Sequence, residues 1–289
     1  MMKSIKELAA AAESRNVRIS DIVIELQAEE NSCTAIDVFE KMSKRYDVML
    51  EAVERGVKSE LKTVTGLSGG DAALLDRYIA SGRALGNGLS ARITRNAIAV
   101  SEVNANMGRI VASPTAGSCG IIPGFLSALE EELSLRREKV IMALITAGGI
   151  GAVIAENATL AGAEGGCQAE CGSAAAMAAA AGCELLGGTP QQCAHAFSLS
   201  MINSLGLVCD PVGGYVEYPC IFRNAHGAVN ALAAMEMALS GVKSIIPSDE
   251  VIAAMKEVGV KMDTSLKETA LGGLAAAPSA LRLCRHSAD

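Results

Sequence analysis

The stretch "VIMALITAGGIGAVIA", from Val140 to Ala155, decides the fold of this chain. It has sixteen residues, three of them glycines, and is bounded by Lys139 and Glu156. A helix that crosses a membrane needs about 20 apolar residues. The stretch is shorter than that, so we interpret it as a buried core helix or a pair of core helices.

Further segments with helical spacing of apolar residues surround this stretch. The first helix follows a predicted cap at Ser4, and the second follows one at Ser20. Alanine and glycine dominate, which lets helix backbones approach closely, and no set of short alternating β-branched runs is found. The sequence predicts an all-α fold with a single helical domain over 1–289. Its predicted helices are 4–14, 20–30, 34–58, 71–81, 92–103, 125–135, 138–147, 150–162, 169–186, 190–205, 222–239 and 248–258.

Charge and composition exclude several classes of protein. The formal net charge is -7, from 32 acidic and 25 basic residues, and no basic block is present. We therefore expect no nucleic-acid partner. The N-terminal residues are charged every few positions and lack the apolar run of a signal peptide. These features predict a cytoplasmic protein without a membrane partner.

Nine cysteines in such a chain argue against a disulfide framework, because the cytosol keeps thiols reduced. Most of the nine are expected to be packing residues. Two glycine-rich islands contain the exceptions. In "GAEGGCQAECG", 162–172, Cys167 is predicted at a helix start, where the dipole stabilises a thiolate, and Cys171 one turn inside. One helix could supply both ligands, but Cys167 is the better candidate.

The second island is "CDPVGGYVEYPCIFRNAHG", 209–227. Its prolines and glycines prevent a helix across most of the span between Cys209 and Cys220, so both cysteines are expected on non-helical backbone. With Cys167 they make a candidate three-thiolate metal site. Structural zinc usually takes four ligands, often in paired C-x2-C spacings that are missing here, so spacing favours an iron–sulfur cluster with one open iron. Ordinary burial of the three cysteines stays an alternative.

A third island, "SPTAGSCG" at 113–120, precedes an apolar helix. Ser113, Thr115 and Ser118 supply hydroxyl groups, and Gly117 frees backbone N–H groups. A helix N-terminus of this kind suits an anion, and a carboxylate fits better than a nucleotide because no lysine follows the glycines. An ordinary capped loop is the alternative.

Two histidines are candidate site residues. His195 lies within a predicted helix, where a packed and hydrogen-bonded role is more usual. His226 lies six residues beyond Cys220 in a segment that contains glycine. It is the candidate to line the site and to act as a general base.

The islands resemble one protein family closely. The motifs are "NANMGRIVASPTAGSCGIIPG", "GAEGGCQAECGSAAAMAAA", "GLVCDPVGGYVEYPC" with "RNA" after it, and "ETALGGLAAAPS". They are similar to those of the α chain of iron–sulfur-dependent L-serine dehydratase. The resemblance extends from about residue 66 onward, and residues 1–65 match more loosely.

This resemblance implies an all-helical catalytic domain, a [4Fe-4S] cluster and a separate β subunit. It places the cluster ligands on Cys167, Cys209 and Cys220. Position 171 is usually a small apolar residue in the family. Some relatives bind the fourth iron with a cysteine at the extreme C-terminus, whereas Cys284 lies five residues before the end here.

The reaction that the family implies is the dehydration of L-serine to pyruvate and ammonia. An open iron acts as a Lewis acid on the departing hydroxide, and a base removes the α-proton. Ser113, Thr115, Gly117 and Ser118 are expected to hold the substrate carboxylate, and either His226 or the β subunit to supply the base. Two rivals remain: an iron–sulfur lyase such as a cysteine desulfidase, and a non-enzymatic helical scaffold with buried cysteines.

Overall fold

The computed structural model describes residues 2–85 and 88–286 and consists of α-helices joined by loops. No β-strand occurs in these residues, and the only ladder contact they contain is an isolated parallel bridge between Cys209 and Lys267. The all-α prediction is confirmed. The helices are α1 (Ile5–Arg15), α2 (Ile19–Glu30), α3 (Ala35–Lys58), α4 (Asp71–Ala80), α5 (Leu89–Ala105), α6 (Ile121–Leu133), α7 (Arg137–Asn157), α8 (Gly162–Gly165), α9 (Ser173–Leu185), α10 (Pro190–Ile202), α11 (Cys220–Leu239), α12 (Ser248–Lys261) and α13 (Pro278–His286).

Helix α9 lies at the centre of the molecule. All of its residues, from Ser173 to Leu185, are buried. It packs against α6, α7, α10 and α11. Most of its side chains are alanine methyl groups, so neighbouring helices can approach it from every side. The functional loops emerge from the ends of these central helices.

Helix α7 contains the stretch that predicted a core helix. It is one helix, Arg137–Asn157, so the expected separate helices at 138–147 and 150–162 are wrong. The Gly148–Gly149 pair does not end it, and Gly149 allows close packing of α2, since a Cβ there would lie 2.3 Å from Val23 Cγ2. Among the described helices it alone is long and apolar enough to cross a membrane, but 67% of its most apolar window is buried. It is a core helix, as expected.

The starts of three helices test the capping predictions. Ser4 caps α1 by accepting a hydrogen bond from the N–H group of Glu7 at 3.0 Å, as expected. Ser20 lies inside α2, however, and does not cap it, because Arg18 precedes that helix. Helix α6 begins at Ile121, before the predicted residue 125, and includes Pro123. Proline is tolerated there because the first turn has no acceptor for its missing N–H group.

Candidate functional site

The three predicted cysteines lie at the ends of elements around the central helix. Cys167 precedes a single π-helical turn, Gln168–Gly172, that leads into α9. Cys209 lies in the loop after α10, and Cys220 is the first residue of α11. Their exposed fractions are only 2%, 4% and 9%, and all nine cysteines of the chain are free thiols.

The position of Cys220 corrects the expectation that both cysteines of the second island lie on non-helical backbone. Pro219 immediately precedes α11 and ends the loop, so the helix starts at Cys220 itself. A thiolate in the first turn of a helix is stabilised by the helix dipole. Cys209 lies on extended backbone, where its N–H group donates to the carbonyl of Leu266 at 2.8 Å.

The thiols lie within electrostatic reach of one another. Burial raises the pKa of Cys220 to about 12, and the negative charge of Cys167 adds to this shift. Burial followed by Cys167 also raises the pKa of Cys209 well above its usual range. Arg223 lies close enough to Cys167 and Cys220 to lower the pKa of both thiols. The three predicted thiols are thus buried beside the cation of Arg223.

Cys171 adjoins this group as well. Its thiol hydrogen-bonds to Cys167, and that bond is the largest cause of a lowered pKa at Cys167 and a raised pKa at Cys171. Its Sγ also lies 3.9 Å from the carbonyl oxygen of Gly117. Cys171 therefore packs between Cys167 and the hydroxyl loop.

The hydroxyl loop, residues 113–120, lies beside the thiols. The hydroxyl groups of Thr115 and Ser118 are 3.2 Å apart. Asn224 of α11 anchors the loop, because its side chain donates to the carbonyl of Gly117 at 2.7 Å and accepts from the N–H group of Gly120 at 2.9 Å. The structure therefore brings three of the predicted residues, Thr115, Gly117 and Ser118, to one place.

Ser113 differs from the other members of the predicted set. Its hydroxyl oxygen is buried and has no hydrogen-bond partner. It lines a mainly apolar cavity of about 370 Å³ beside α3 and α7. Ser113 is hydrogen-bonded to the rest of the loop through its backbone: its N–H group donates to the carbonyl of Thr115 at 3.3 Å.

Glu170 is a site residue that the sequence interpretation missed. Its Oε1 accepts a hydrogen bond from Thr115 Oγ1 at 2.8 Å. Burial raises the pKa of its carboxyl group, and the bond from Thr115 opposes this rise. The signal was present in the sequence, because an acidic residue stands between Cys167 and Cys171 in a glycine-rich island. A π-helical turn is itself frequent at functional sites.

Two glycines make room for the Glu170 carboxylate. A Cβ on Gly117 would lie 3.1 Å from both of its oxygens. A Cβ on Gly162 would lie 2.6 Å from Oε2 and 3.2 Å from Cys209 Sγ. The carboxylate therefore lies between the hydroxyl loop and the thiol of Cys209.

His226 is not among the residues gathered here. It is exposed on α11. It stands two positions after Asn224, the residue that anchors the hydroxyl loop. Two positions correspond to about 200° around the helix, so the two side chains lie on nearly opposite faces. The role of His226 as a base stays a prediction. His195, on α10, is partly buried, as expected for a packed residue.

Asp210 fastens the C-terminal segment to the cysteine loop. Its carboxylate forms an ion pair with Arg223 at 2.8 Å and accepts from the N–H group of Leu274 at 2.6 Å. The final helix also contacts this loop, because Cys284 Sγ lies 3.1 Å from the position of a Cβ on Gly213.

Glu217 fastens the same loop on the opposite side. Its carboxylate is 2% exposed and accepts hydrogen bonds from the hydroxyl groups of Thr63, Thr65 and Ser68. These three residues lie about 150 positions earlier in the chain, between α3 and α4. The loop that carries Cys209 and Cys220 is thus held from both sides.

The donor set differs from that of a mononuclear metal site. Within residues 2–85 and 88–286, no three His, Cys, Asp or Glu side chains are arranged to hold a single metal ion. A cluster makes no such demand, because each cysteine binds a different iron. Three buried thiols with Arg223 beside them therefore suit an iron–sulfur cluster better than mononuclear zinc.

Fold and site together define a helical protein with a buried three-thiol centre beside a carboxylate and a hydroxyl loop. Residues 14–275 match the family model for the serine dehydratase alpha chain. The chain is 49% identical over 283 residues to the probable L-serine dehydratase alpha chain of Bacillus subtilis, covering 98% of this chain and 94% of that one. It is 44% identical over 285 residues to the L-serine dehydratase alpha chain of Peptoniphilus asaccharolyticus, covering 99% and 98%.

This chain belongs to the serine dehydratase alpha chain family. One relative is much longer than this chain and matches it over only part of its own length. The L-serine dehydratase of Escherichia coli is 37% identical over 283 residues, and the match covers 94% of this chain but 61% of that protein.

Proposed function

We propose that this chain is the catalytic α subunit of an L-serine ammonia-lyase that uses a [4Fe-4S] cluster held by Cys167, Cys209 and Cys220. The observation that carries the proposal is the grouping of three buried thiols around Glu170 and Thr115. The names of the relatives support L-serine as the substrate. The free thiols suit a reducing compartment, so we place the enzyme in the cytoplasm.

When bound, the cluster would supply a Lewis-acidic iron for loss of the substrate hydroxyl group. The residues of the chain must then hold the other two groups of serine. Ser118, with the backbone N–H groups around Gly117, binds the carboxylate at the start of α6, while Thr115, whose single O–H group donates to Glu170, positions that residue. Charge-assisted hydrogen bonds of this kind are stronger than neutral ones.

Glu170 binds the substrate ammonium group. Its carboxylate stands between the hydroxyl loop and Cys209, so an ammonium group bound there lies next to the carboxylate contacts, as the shared α-carbon of serine requires. Pairing with an ammonium offsets the cost of keeping a partly buried carboxylate charged. With both ends of serine held, its hydroxyl group is directed towards the thiols.

A second chain, the β subunit, completes the site. Loss of the α-proton needs a base, and the exposed His226 is turned away from the hydroxyl loop. Tyr215, Tyr218 and Phe222 border the cysteine loop and are 53%, 40% and 40% exposed, in a chain that has only four tyrosines and four phenylalanines. Exposed aromatic groups at one place are typical of a protein interface. The match covers only 61% of the longer Escherichia coli relative, which supports the proposal of a second part.

The test is anaerobic co-expression with the chain encoded beside it, reconstitution with iron and sulfide, and measurement of pyruvate. Serine and cysteine both yield pyruvate after loss of water or hydrogen sulfide, so both are assayed at equal concentration. A higher kcat/KM for serine supports the proposal. Preference for cysteine would make the protein a desulfidase, and activity that survives full removal of iron would exclude the cluster mechanism.

A further inference from the structure

A second cavity lies away from the thiols, where the ends of α3 and α5 meet the segment that follows α3. Its volume is about 480 Å³. The residues that line it include three cations and one carboxylate. They are Arg55, Gly56, Lys58, Ser59, Leu61, Lys62, Glu102, Val103 and Asn106.

Glu102 is the unusual member of this lining. Its side chain is 2% exposed, and its Oε1 accepts a hydrogen bond from the N–H group of Asp71, at the start of α4, at 2.8 Å. Its Oε2 is buried and makes no hydrogen bond of standard geometry, although the N–H group of Ala72, one residue further into α4, also lies near this carboxylate. A buried carboxylate oxygen without a donor is costly and rare in native proteins. A donor supplied by a ligand would remove that cost.

Two of the three cations of the cavity also lack an ion-pair partner among the described residues. Within the described residues, neither Arg55 nor Lys62 forms an ion pair, whereas Lys58 is paired with Glu54. The Arg55 guanidinium lies along the cavity wall, with Nη1 3.4 Å from the position of a Cβ on Gly108. The cavity therefore offers one unpaired carboxylate oxygen and two unpaired cations.

We propose that this cavity binds a small zwitterion, a free α-amino acid, with its ammonium group on Glu102 and its carboxylate on Arg55 and Lys62. An anion alone would leave the Glu102 oxygen without a donor, and a cation alone would leave both basic groups unpaired. Burial raises the pKa of Glu102 to about 7, although the backbone N–H groups of Asp71 and Ala72 and the charge of Lys62 oppose this rise, so a bound ammonium would favour the charged carboxylate. This inference does not depend on the proposed function.

Both walls of the cavity connect to the thiol site. Lys62 adjoins Thr63, whose hydroxyl group is bonded to Glu217 in the cysteine loop. Asn104 of α5 donates to the carbonyl of Ala116 in the hydroxyl loop at 3.3 Å. A ligand that orders these two segments would therefore act on both loops of the thiol site.

Calorimetric titration of the full-length chain with glycine tests the proposal. Glycine carries both charges but has no hydroxyl group to eliminate. Acetate and methylamine, which each carry one charge, are the comparison probes. We expect millimolar glycine to bind and each single-charge probe to bind at least tenfold more weakly. Equal binding of acetate and glycine, or no glycine binding, would overturn the proposal.

Three variants locate the binding. Glu102→Gln keeps an acceptor for the N–H group of Asp71, and Arg55→Gln alters an exposed side chain, so both should fold. Each should weaken glycine binding at least tenfold. Lys44→Gln, which removes an exposed cation of α3 outside the cavity, should leave it unchanged. Binding that is lost in Ser118→Ala but kept in Arg55→Gln would move the ligand to the thiol site and overturn the proposal.

Discussion

Thr115 and Glu170 are joined by a hydrogen bond of 2.8 Å between Oγ1 and Oε1, although they are 55 residues apart in the chain. The bond connects the hydroxyl loop before α6 to the π-helical turn before α9. The bond thereby holds Glu170, which we propose binds the substrate ammonium group, next to the loop whose Ser118 we propose binds the substrate carboxylate. That distance suits an α-amino acid, whose two charged groups share one carbon.

Glu170→Gln should lower kcat/KM for serine and leave the cluster absorption intact, because no cysteine is changed. Loss of a hydrogen bond to a charged group costs about 1.5–3 kcal/mol, or roughly ten- to 150-fold in kcat/KM. 3-Hydroxypropionate lacks the ammonium group, so it should be a poor substrate of the parent enzyme and lose little more in the variant. Equal losses for both substrates would show that Glu170 only supports the fold.

Ser118→Ala tests the other end of the substrate. We expect a loss of roughly ten- to 150-fold in kcat/KM for serine, since one hydrogen bond to the carboxylate is removed. Serinamide has no carboxylate and should be affected much less. If kcat/KM falls as much for serinamide as for serine, the hydroxyl loop stabilises the structure and does not bind the carboxylate.

The sequence predicted the helical class because apolar spacing is a local signal. It singled out Cys167, Cys209 and Cys220 because they stand in glycine-rich islands and because the family resemblance places ligands there, and their role as ligands stays a prediction. It did not predict the unbroken α7, since glycine in a buried helix is retained where Val23 packs closely against it. It also missed Glu217, whose partner Thr63 is 154 residues away. Contacts of that kind depend on tertiary packing and leave no spacing pattern.

Glu217→Gln should loosen the cysteine loop. The substitution replaces a buried carboxylate that accepts from three hydroxyl groups with an amide that has only one acceptor oxygen. We expect a loss of about 1–3 kcal/mol in the free energy of unfolding, with faster loss of iron under a chelator. Glu257→Gln, at an exposed residue of α12, is the control. Iron retention equal to that of the control would mean that Glu217 does not position the loop.

Two glycines in core helices should respond oppositely to alanine. A Cβ on Gly124 would lie 2.6 Å from the backbone nitrogen of Ala97, so Gly124→Ala separates α5 from α6 at a cost of about 1–3 kcal/mol. A Cβ on Gly148 would meet only Met42 Cε at 3.7 Å. Gly148→Ala should therefore stabilise α7 by about 0.5–1 kcal/mol. Thermal unfolding of both variants measures the difference, and destabilisation by Gly148→Ala would contradict the packing described for α7.

Iron and sulfide analysis, after anaerobic reconstitution, of variants that each replace one cysteine tests the central claim most directly. The parent chain should hold about four irons and four sulfides. Cys167→Ser, Cys209→Ser and Cys220→Ser should each lose most of this content and all activity. Cys183→Ser and Cys193→Ser, at buried positions on α9 and α10, should keep both. The same iron content in all five variants, or none in the parent chain, would contradict the account.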